Sequence, residues 1–358
     1  MKKVFAILHE PASYTTARNR AAYDPAGVKY CYISSTSLAK SGENDVTPDD
    51  ALSSLSLPTL TKRLAAILRG NDIVIMNGYT GRIFRILFAL NLFYRKKIGL
   101  DSDTPLNIPA SPLRRLAKSA ILRTVFRNRN IYGLPGGTKS HTELFRHYGM
   151  PDSHICLMPM MVDNEAFRGA PRAAAPGSPF TFLYVGRLVP VKNVGLLLEA
   201  FADAFGDRSD VALRIVGSGE LHEKFVKEFG QRPNVVFAGP KQGEALRSEY
   251  ASASAFVLPS MFEPWGLVVN EAMSAGLPVI VSDRVGARED LVDNRNTGLV
   301  FTSGDKDALA ACMRRLVNDP GLYELLSRNA YTLMHDRWNY GLYTECLRAF
   351  IDKASREP

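Results

Sequence analysis

Cysteine is scarce in this chain and nowhere clustered. Its four residues, Cys31, Cys156, Cys312 and Cys346, are far apart and have no Cys-x-x-Cys or histidine-spaced partner. That argues against a disulfide scaffold or a zinc site and reads as reduced, mostly buried thiols. Long apolar runs are missing as well, since no stretch approaches the roughly 20 residues of a membrane helix. The opening Met-Lys-Lys-Val-Phe-Ala-Ile-Leu breaks at His9-Glu10-Pro11, so it reads as a first β-strand and not as a signal peptide. No internal repeat is found. Acidic residues are short in one region: residues 1–150 hold 22 Lys/Arg against 10 Asp/Glu, whereas 151–358 hold 22 against 26. The net charge of +8 therefore divides into +12 and −4, an asymmetry by which the first part faces something anionic. No nucleic-acid motif accompanies the charge, so nucleic acid is not an expected partner. With 358 residues, 46% hydrophobic and 22% charged, the chain reads as a cytoplasmic globular protein of two domains.

The most informative stretch runs from Pro259 to Asp283. An apolar strand, Ala255-Phe256-Val257-Leu258, enters a Pro/Gly turn holding Glu263; a helix carrying Glu271 follows, ends at Gly276-Leu277-Pro278, and leads to the strand Val279-Ile280-Val281. In open α/β sheets, ligands lie at the carboxyl ends of such strands. Two carboxylates eight positions apart suit a polyhydroxylated ligand, because each accepts paired hydrogen bonds from neighbouring hydroxyls. The amides of Trp265, Gly266 and Leu267 open the helix and favour an anion. Solvated surface charges are the bland alternative for both glutamates.

A second constellation follows the strand Phe180–Val185: Gly186-Arg187-Leu188-Val189-Pro190-Val191-Lys192-Asn193, then a helix from Val194 to Phe205. Arg187 and Lys192 flank a tight turn at a helix start, where two cations can reach one phosphate. The strand Leu213–Val216 enters a Gly217-Ser218-Gly219 turn, weak evidence by itself. The strand Asn234–Ala238 leads to Gly239-Pro240-Lys241.

The remainder organises around these stretches. Residues 1–168 read as an α/β domain with strands at Lys3–Leu8, Lys29–Ile33 and Asp72–Met76, a Gly-rich turn at Asn77–Gly81 and a helix over Arg82–Lys97. The segment Leu113–Arg129 places Arg114, Arg115, Lys118, Arg123, Arg127 and Arg129 among Leu116, Ile121, Leu122, Val125 and Phe126. It fits an interfacial helix on an anionic bilayer as well as a core-packed helix with a solvated basic face. Ile98–Asp103 reads as a strand ending in Asp101-Ser102-Asp103, either a strand-end cap or a hydroxyl-binding or proton-accepting pair. Residues 169–179 are small and Pro-rich and read as a linker. The second domain spans 180–338, and a last amphipathic helix starts near Trp338.

Phe262-Glu263-Pro264-Trp265-Gly266-Leu267 through Asn270-Glu271-Ala272-Met273, with Gly276-Leu277-Pro278 in register, resembles the E-x7-E signature of retaining GT-B glycosyltransferases, family 4 in particular. Gly186-Arg187-Leu188 with Lys192-Asn193 resembles that family's pyrophosphate clamp. The likeness covers nearly all of 134–350, is specific from 180 to 301, and over 1–133 rests only on the pattern of elements. It implies two Rossmann-like domains facing across a cleft, with the final helix, 339–358, completing the first, acceptor-side domain. The implied reaction is hexosyl transfer from a nucleotide-sugar, a UDP-sugar ahead of a GDP-sugar, to a hydroxyl of a glycan or lipid-linked acceptor, without metal or cofactor. By resemblance Glu271 holds the ribose, Glu263 the transferred sugar, Arg187 and Lys192 the diphosphate, and Gly186, Gly217, Lys241, Trp265, Gly266 and Leu267 complete the donor site. Asp103 is the candidate on the acceptor side. One departure stands out: many relatives have a Gly-Gly loop after the first strand, but here His9-Glu10-Pro11-Ala12-Ser13-Tyr14 occupies it, so that loop's donor contacts do not carry over. The rival readings are a nucleotide-sugar epimerase, a phosphorylase, for which no pyridoxal phosphate lysine is found, and a catalytically silent nucleotide-sugar or anionic-membrane binding module.

Overall fold

The computed structural model describes residues 2–34, 51–173, 178–293 and 295–356. They form two compact units, one of Met1–Met161 with Tyr340–Pro358 and one of Val162–Asn339.

The first unit is built on five parallel strands, β1 (Val4–Leu8), β2 (Lys29–Tyr32), β3 (Ile73–Asn77), β4 (Lys97–Ser102) and β5 (Ile131–Pro135), in the order β2-β1-β3-β4-β5. Phe5 stands opposite Val74, and Ile75 opposite Gly99. β3, β4 and β5 are buried almost throughout because helices cover their sheet; Leu60, Leu64 and Leu68 of Leu57–Gly70, Phe84 and Leu87 of Gly81–Tyr94, and Phe126 of Pro112–Phe126 are buried in one core. The helix expected over 82–97 stops at Tyr94. Arg95 takes the left-handed conformation, φ 53°, and the Asn91 side chain bonds the Lys96 backbone on both N–H and C=O at 2.8 Å. Lys97 then begins β4 as a buried residue. The last helix, Tyr340–Arg356, belongs to this unit. Its Tyr343 hydroxyl lies 3.1 Å from that of Tyr23, and Phe350 packs edge-on against Tyr132. Gly99 makes room for that ring, since a Cβ there would lie 2.7 Å from Phe350.

The second unit carries six parallel strands, β6 (Phe180–Val185), β7 (Val211–Val216), β8 (Val235–Gly239), β9 (Ala255–Leu258), β10 (Val279–Ser282) and β11 (Gly298–Phe301), ordered β11-β10-β9-β6-β7-β8. The domain limits differ from the sequence reading. Residues 162–168 fall in the second unit, where the Asn164 amide donates to the carbonyls of Met334 at 2.6 Å and Trp338 at 2.9 Å. Of the expected linker, 169–173 and 178–179 are described, and the first part is tied to the second unit through Arg172. The Arg172 N–H reaches Ser327 Oγ at 2.5 Å and its guanidinium the Tyr250 carbonyl at 3.1 Å; residues 174–177 lie outside the described residues. The four cysteines are free thiols, each partly exposed where burial was expected for most. Among the described residues no helix is long and apolar enough to cross a membrane.

Candidate active site

In the second sheet β6, β7 and β8 wind one way and β9, β10 and β11 the other, so the winding reverses between neighbours β6 and β9. The carboxyl ends of those two strands are where an open α/β sheet accommodates a ligand, and they carry the two constellations singled out above.

Beyond β6, the Gly186 N–H bonds Val216 O at 3.0 Å, Leu188 N–H bonds Ser218 O at 2.8 Å, and Gly217 N–H bonds Gly239 O at 2.9 Å. These bonds knit the loops after β6, β7 and β8 into one layer. The approach is so close that a Cβ on Gly217, at φ 142°, would stand 1.8 Å from Gly186 O. Pro190–Lys192 forms a single 3₁₀ turn, and Asn193 at φ 54° tips the chain into the helix Val194–Phe205; asparagine tolerates that conformation better than most residues. Lys192 thus sits beside a helix start. Arg187 is exposed and makes no ion pair among the described residues. Beneath it Tyr184, fully buried, donates its hydroxyl to the Arg187 carbonyl at 2.9 Å. Burial first, then the charge of Glu263, holds that phenol well above its ordinary range.

Beyond β9, Met261 N–H bonds Val191 O at 2.8 Å, tying the Glu263 loop to the Lys192 turn. Glu263 itself forms a parallel bridge with Val285, its N–H on Arg284 O and its C=O accepting from Gly286 N–H. Held from both sides, its carboxylate accepts from Lys192 Nζ as an ion pair. The two side chains are 16% and 14% exposed, poorly screened yet open to a ligand. Gly266, at φ 98°, then starts the helix Leu267–Ser274, whose first amides have no intrahelical partner. Trp265 anchors this start: its indole donates to Asn270 Oδ1 at 2.8 Å and stacks on Trp338 at 5.7 Å and 14°. The ring is core, so only the backbone of Trp265 faces the site.

Glu271 lies one turn into that helix and accepts from the Tyr250 hydroxyl at 2.7 Å. Burial pushes its carboxyl up to about 7, with the Tyr250 bond acting in the opposite direction. Tyr250 escaped the sequence reading because it stands mid-helix in Gly243–Ser252 with no motif around it. Lys241, beyond β8, is partly exposed and in no ion pair among the described residues. Arg187, Lys192, Glu263 and Glu271 thus come from the loops and helix that follow β6 and β9, while Lys241 stands further along the sheet. No group of three metal-ligating side chains occurs among the described residues.

Asp103 lies in the first unit. Together with Asp101 it lines a cavity of about 610 Å³ at the carboxyl ends of β1, β3 and β4, beside His9, Glu10, Arg18 and Asn77. Asp101 is not a strand-end cap but a buried residue within β4 that accepts from Asn77 Nδ2 at 3.2 Å, with Arg18 3.9 Å away. Burial, the largest influence, raises its carboxyl to about 6. Asp103 is exposed at the rim.

The model of the glycosyl transferases group 1 family matches residues 170–333, which contain every candidate donor-site residue named above. An uncharacterized glycosyltransferase of Methanocaldococcus jannaschii is 33% identical over 161 residues, covering 44% of this chain and 41% of that protein. A GDP-mannose-dependent alpha-mannosyltransferase of Mycolicibacterium smegmatis is 37% identical over 148 residues, 41% of this chain and 37% of that one. The chain thus spans about two-fifths of the length of these curated relatives. Among solved structures, Anabaena HepE in complex with UDP superposes with a TM-score of 0.73 at 16% identity, covering 98% of this chain and 100% of that one. That likeness extends over both sheets and establishes the fold. Residues 170–333 thus match the glycosyl transferases group 1 model, within a chain that has the GT-B fold.

Proposed function

We propose that the chain is a retaining, metal-independent hexosyltransferase that moves a sugar from a nucleotide-sugar, a UDP-sugar ahead of a GDP-sugar, to a hydroxyl of a glycan or lipid-linked acceptor. The observation that carries this is the Lys192–Glu263 pair, fixed where the winding of the second sheet reverses. The ligands that match it have hydroxyls for the carboxylates and a diphosphate for the cations. The costly event is departure of the nucleoside diphosphate, on which negative charge develops. Arg187, Lys192 and the amides of Gly266 and Leu267 meet that charge with donors already in place. Glu271 takes the ribose hydroxyls and Glu263 the hydroxyls of the transferred sugar. The bond from the anomeric carbon to the leaving phosphate oxygen breaks while the acceptor oxygen bonds to the same face. The acceptor proton passes to that phosphate oxygen, so no cofactor enters. Asp103, with Asp101 behind it, orients the acceptor in the cavity of the first unit. A product of bacterial surface polysaccharide or glycolipid assembly, made in the cytoplasm, fits the basic charge of residues 1–150.

A thermal-shift panel of UDP, GDP, ADP, dTDP and their sugar conjugates tests the donor half. A ligand at 100 times its Kd stabilises the folded state by about 2.7 kcal/mol, so one nucleotide family is expected to raise the melting temperature, and Glu271→Ala is expected to abolish the rise. A folded protein that none of them stabilises would instead be the catalytically silent anionic-membrane binding module.

The Glu271 carboxyl gives the panel a pH signature. Ribose hydroxyls donate to the carboxylate, so nucleotide binding demands the ionised form. Because the free protein's carboxyl is raised to about 7, affinity is expected to climb between pH 6 and about 8, and Glu271→Gln to flatten the profile. For the ligand-free fold the sign is opposite: the raised group favours folding at low pH, and that contribution is lost as pH rises from the ordinary carboxyl range through 7. Tyr250→Phe removes a bond that lowers the Glu271 value, so its binding profile is expected to move to higher pH. A Tyr250→Phe profile that overlays wild type would show that the tyrosine only packs.

A further inference from the structure

We propose that the outward face of the Pro112–Phe126 helix is a docking surface for an anionic lipid bilayer. The helix has two apolar sides. One is ordinary: Leu122, Val125 and Phe126 are buried against the first unit. At about 100° per residue, Leu113, Leu116, Ala117, Ala120 and Ile121 fall on the opposite side, where all five are exposed. Leu113 is 80% exposed, Leu116 70% and Ile121 63%. A helix that merely covers a core directs polar residues outward. Here the outward crest is aliphatic apart from Thr124, whose hydroxyl is turned back onto the Ala120 carbonyl at 2.8 Å.

Cations flank that crest. Arg114 stands on one border and Arg123 on the other, both exposed and in no ion pair among the described residues. Arg115 and Lys118 lie further round and clamp the preceding segment through the carbonyls of Pro109, Ala110 and Asn107. No Asp or Glu occurs between Asp103 and Glu143, so the cations have no acidic counterpart along this stretch. An aliphatic crest bordered by arginines matches the boundary between acyl chains and anionic headgroups. A second copy of the chain is a poorer match, since a two-fold contact is self-complementary and would set arginine against arginine.

The inference deepens the lipid-linked part of the acceptor reading and rests on it, but not on the transfer chemistry. Flotation with phosphatidylcholine vesicles, with and without about 30% phosphatidylglycerol, tests it on the full chain at low and high salt. Wild type is expected to bind the anionic vesicles at least tenfold better than the neutral ones and to be released by salt. Leu113→Ser/Leu116→Ser/Ile121→Ser is expected to lose at least tenfold, and Arg114→Gln/Arg123→Gln to lose the preference for anionic lipid, both keeping the nucleotide-induced thermal shift. The proposal is overturned if wild type ignores anionic vesicles at low salt or if the triple variant binds as wild type. It is also overturned if sedimentation shows a dimer that the triple variant dissolves, for then a second copy covers the face. Flotation that fails while a nucleotide still stabilises the protein removes this surface and leaves the donor reading intact; stabilisation that fails while flotation succeeds does the reverse.

Discussion

Lys192→Ala is expected to lower kcat for sugar transfer by about 100- to 1,000-fold, the usual effect of removing one donor aimed at charge that develops in the transition state. The residue has two partners to lose. In the free protein it neutralises Glu263, and in the proposed reaction it meets the departing diphosphate. A comparison with Lys192→Ala/Glu263→Gln separates these roles. If Lys192 served only to neutralise Glu263, adding Lys192→Ala to Glu263→Gln would cost little beyond Glu263→Gln alone, because no uncompensated, poorly screened anion would be left. If it stabilises the leaving group, the double variant stays as slow as Lys192→Ala or slower. Steady-state kinetics with the donor identified by the thermal panel decides it, and a single variant within about tenfold of wild type in kcat would remove Lys192 from the chemistry.

Gly217→Ala is expected to cost about 3 kcal/mol or more and to lower the melting temperature of the second unit by about 6–12 °C, at 2–4 °C per kcal/mol for a domain of this size. Two penalties coincide at this residue. Its φ of 142° is rarely adopted by residues with a side chain, and the added Cβ would lie 1.8 Å from the Gly186 carbonyl oxygen. The obstacle is backbone, so no rotamer change relieves it. The displaced Gly186 turn also carries Arg187, so nucleotide stabilisation should fall with the melting temperature. Gly206→Ala is the control: φ is 55° and ψ −127°, with nothing within 4 Å of the new atom, so only the conformational cost, about 1–3 kcal/mol, remains. Calorimetry in which Gly217→Ala melted no lower than Gly206→Ala would refute the close-approach account.

How far these features were legible before folding depends on whether they are local. Gly186 to Asn193 and Glu263 to Glu271 are short stretches in which glycine, proline and charge must follow one another to make a turn and open a helix, and such order is visible in one dimension. The apolar strands were visible for the same reason, through burial on both faces. Tyr250 was not, because its bond to Glu271 joins two helices through tertiary packing. Asp101 looked like half of a surface pair until β4 carried it into the core. The helix end at Tyr94 was hidden by Arg95, which takes a left-handed conformation where a glycine would have announced it. The boundary near residue 162 depended on Asn164 reaching the Met334 and Trp338 carbonyls, a partnership across a long sequence gap that no spacing reveals.

The first unit is encoded in two separate pieces, with the whole of 162–339 inserted between them. On a ribosome adding about 5–20 residues per second, its five strands are all synthesised about ten to forty seconds before the Tyr340–Arg356 helix arrives. During that wait the groove at Gly99 has no phenylalanine in it and the Tyr23 hydroxyl has no Tyr343 beside it. The later-made unit can close on itself first, its two ends stitched together through Asn164. Nascent-chain assays should therefore find protease resistance appearing in the second half of the polypeptide before the first, an inversion of the order in which the two are translated.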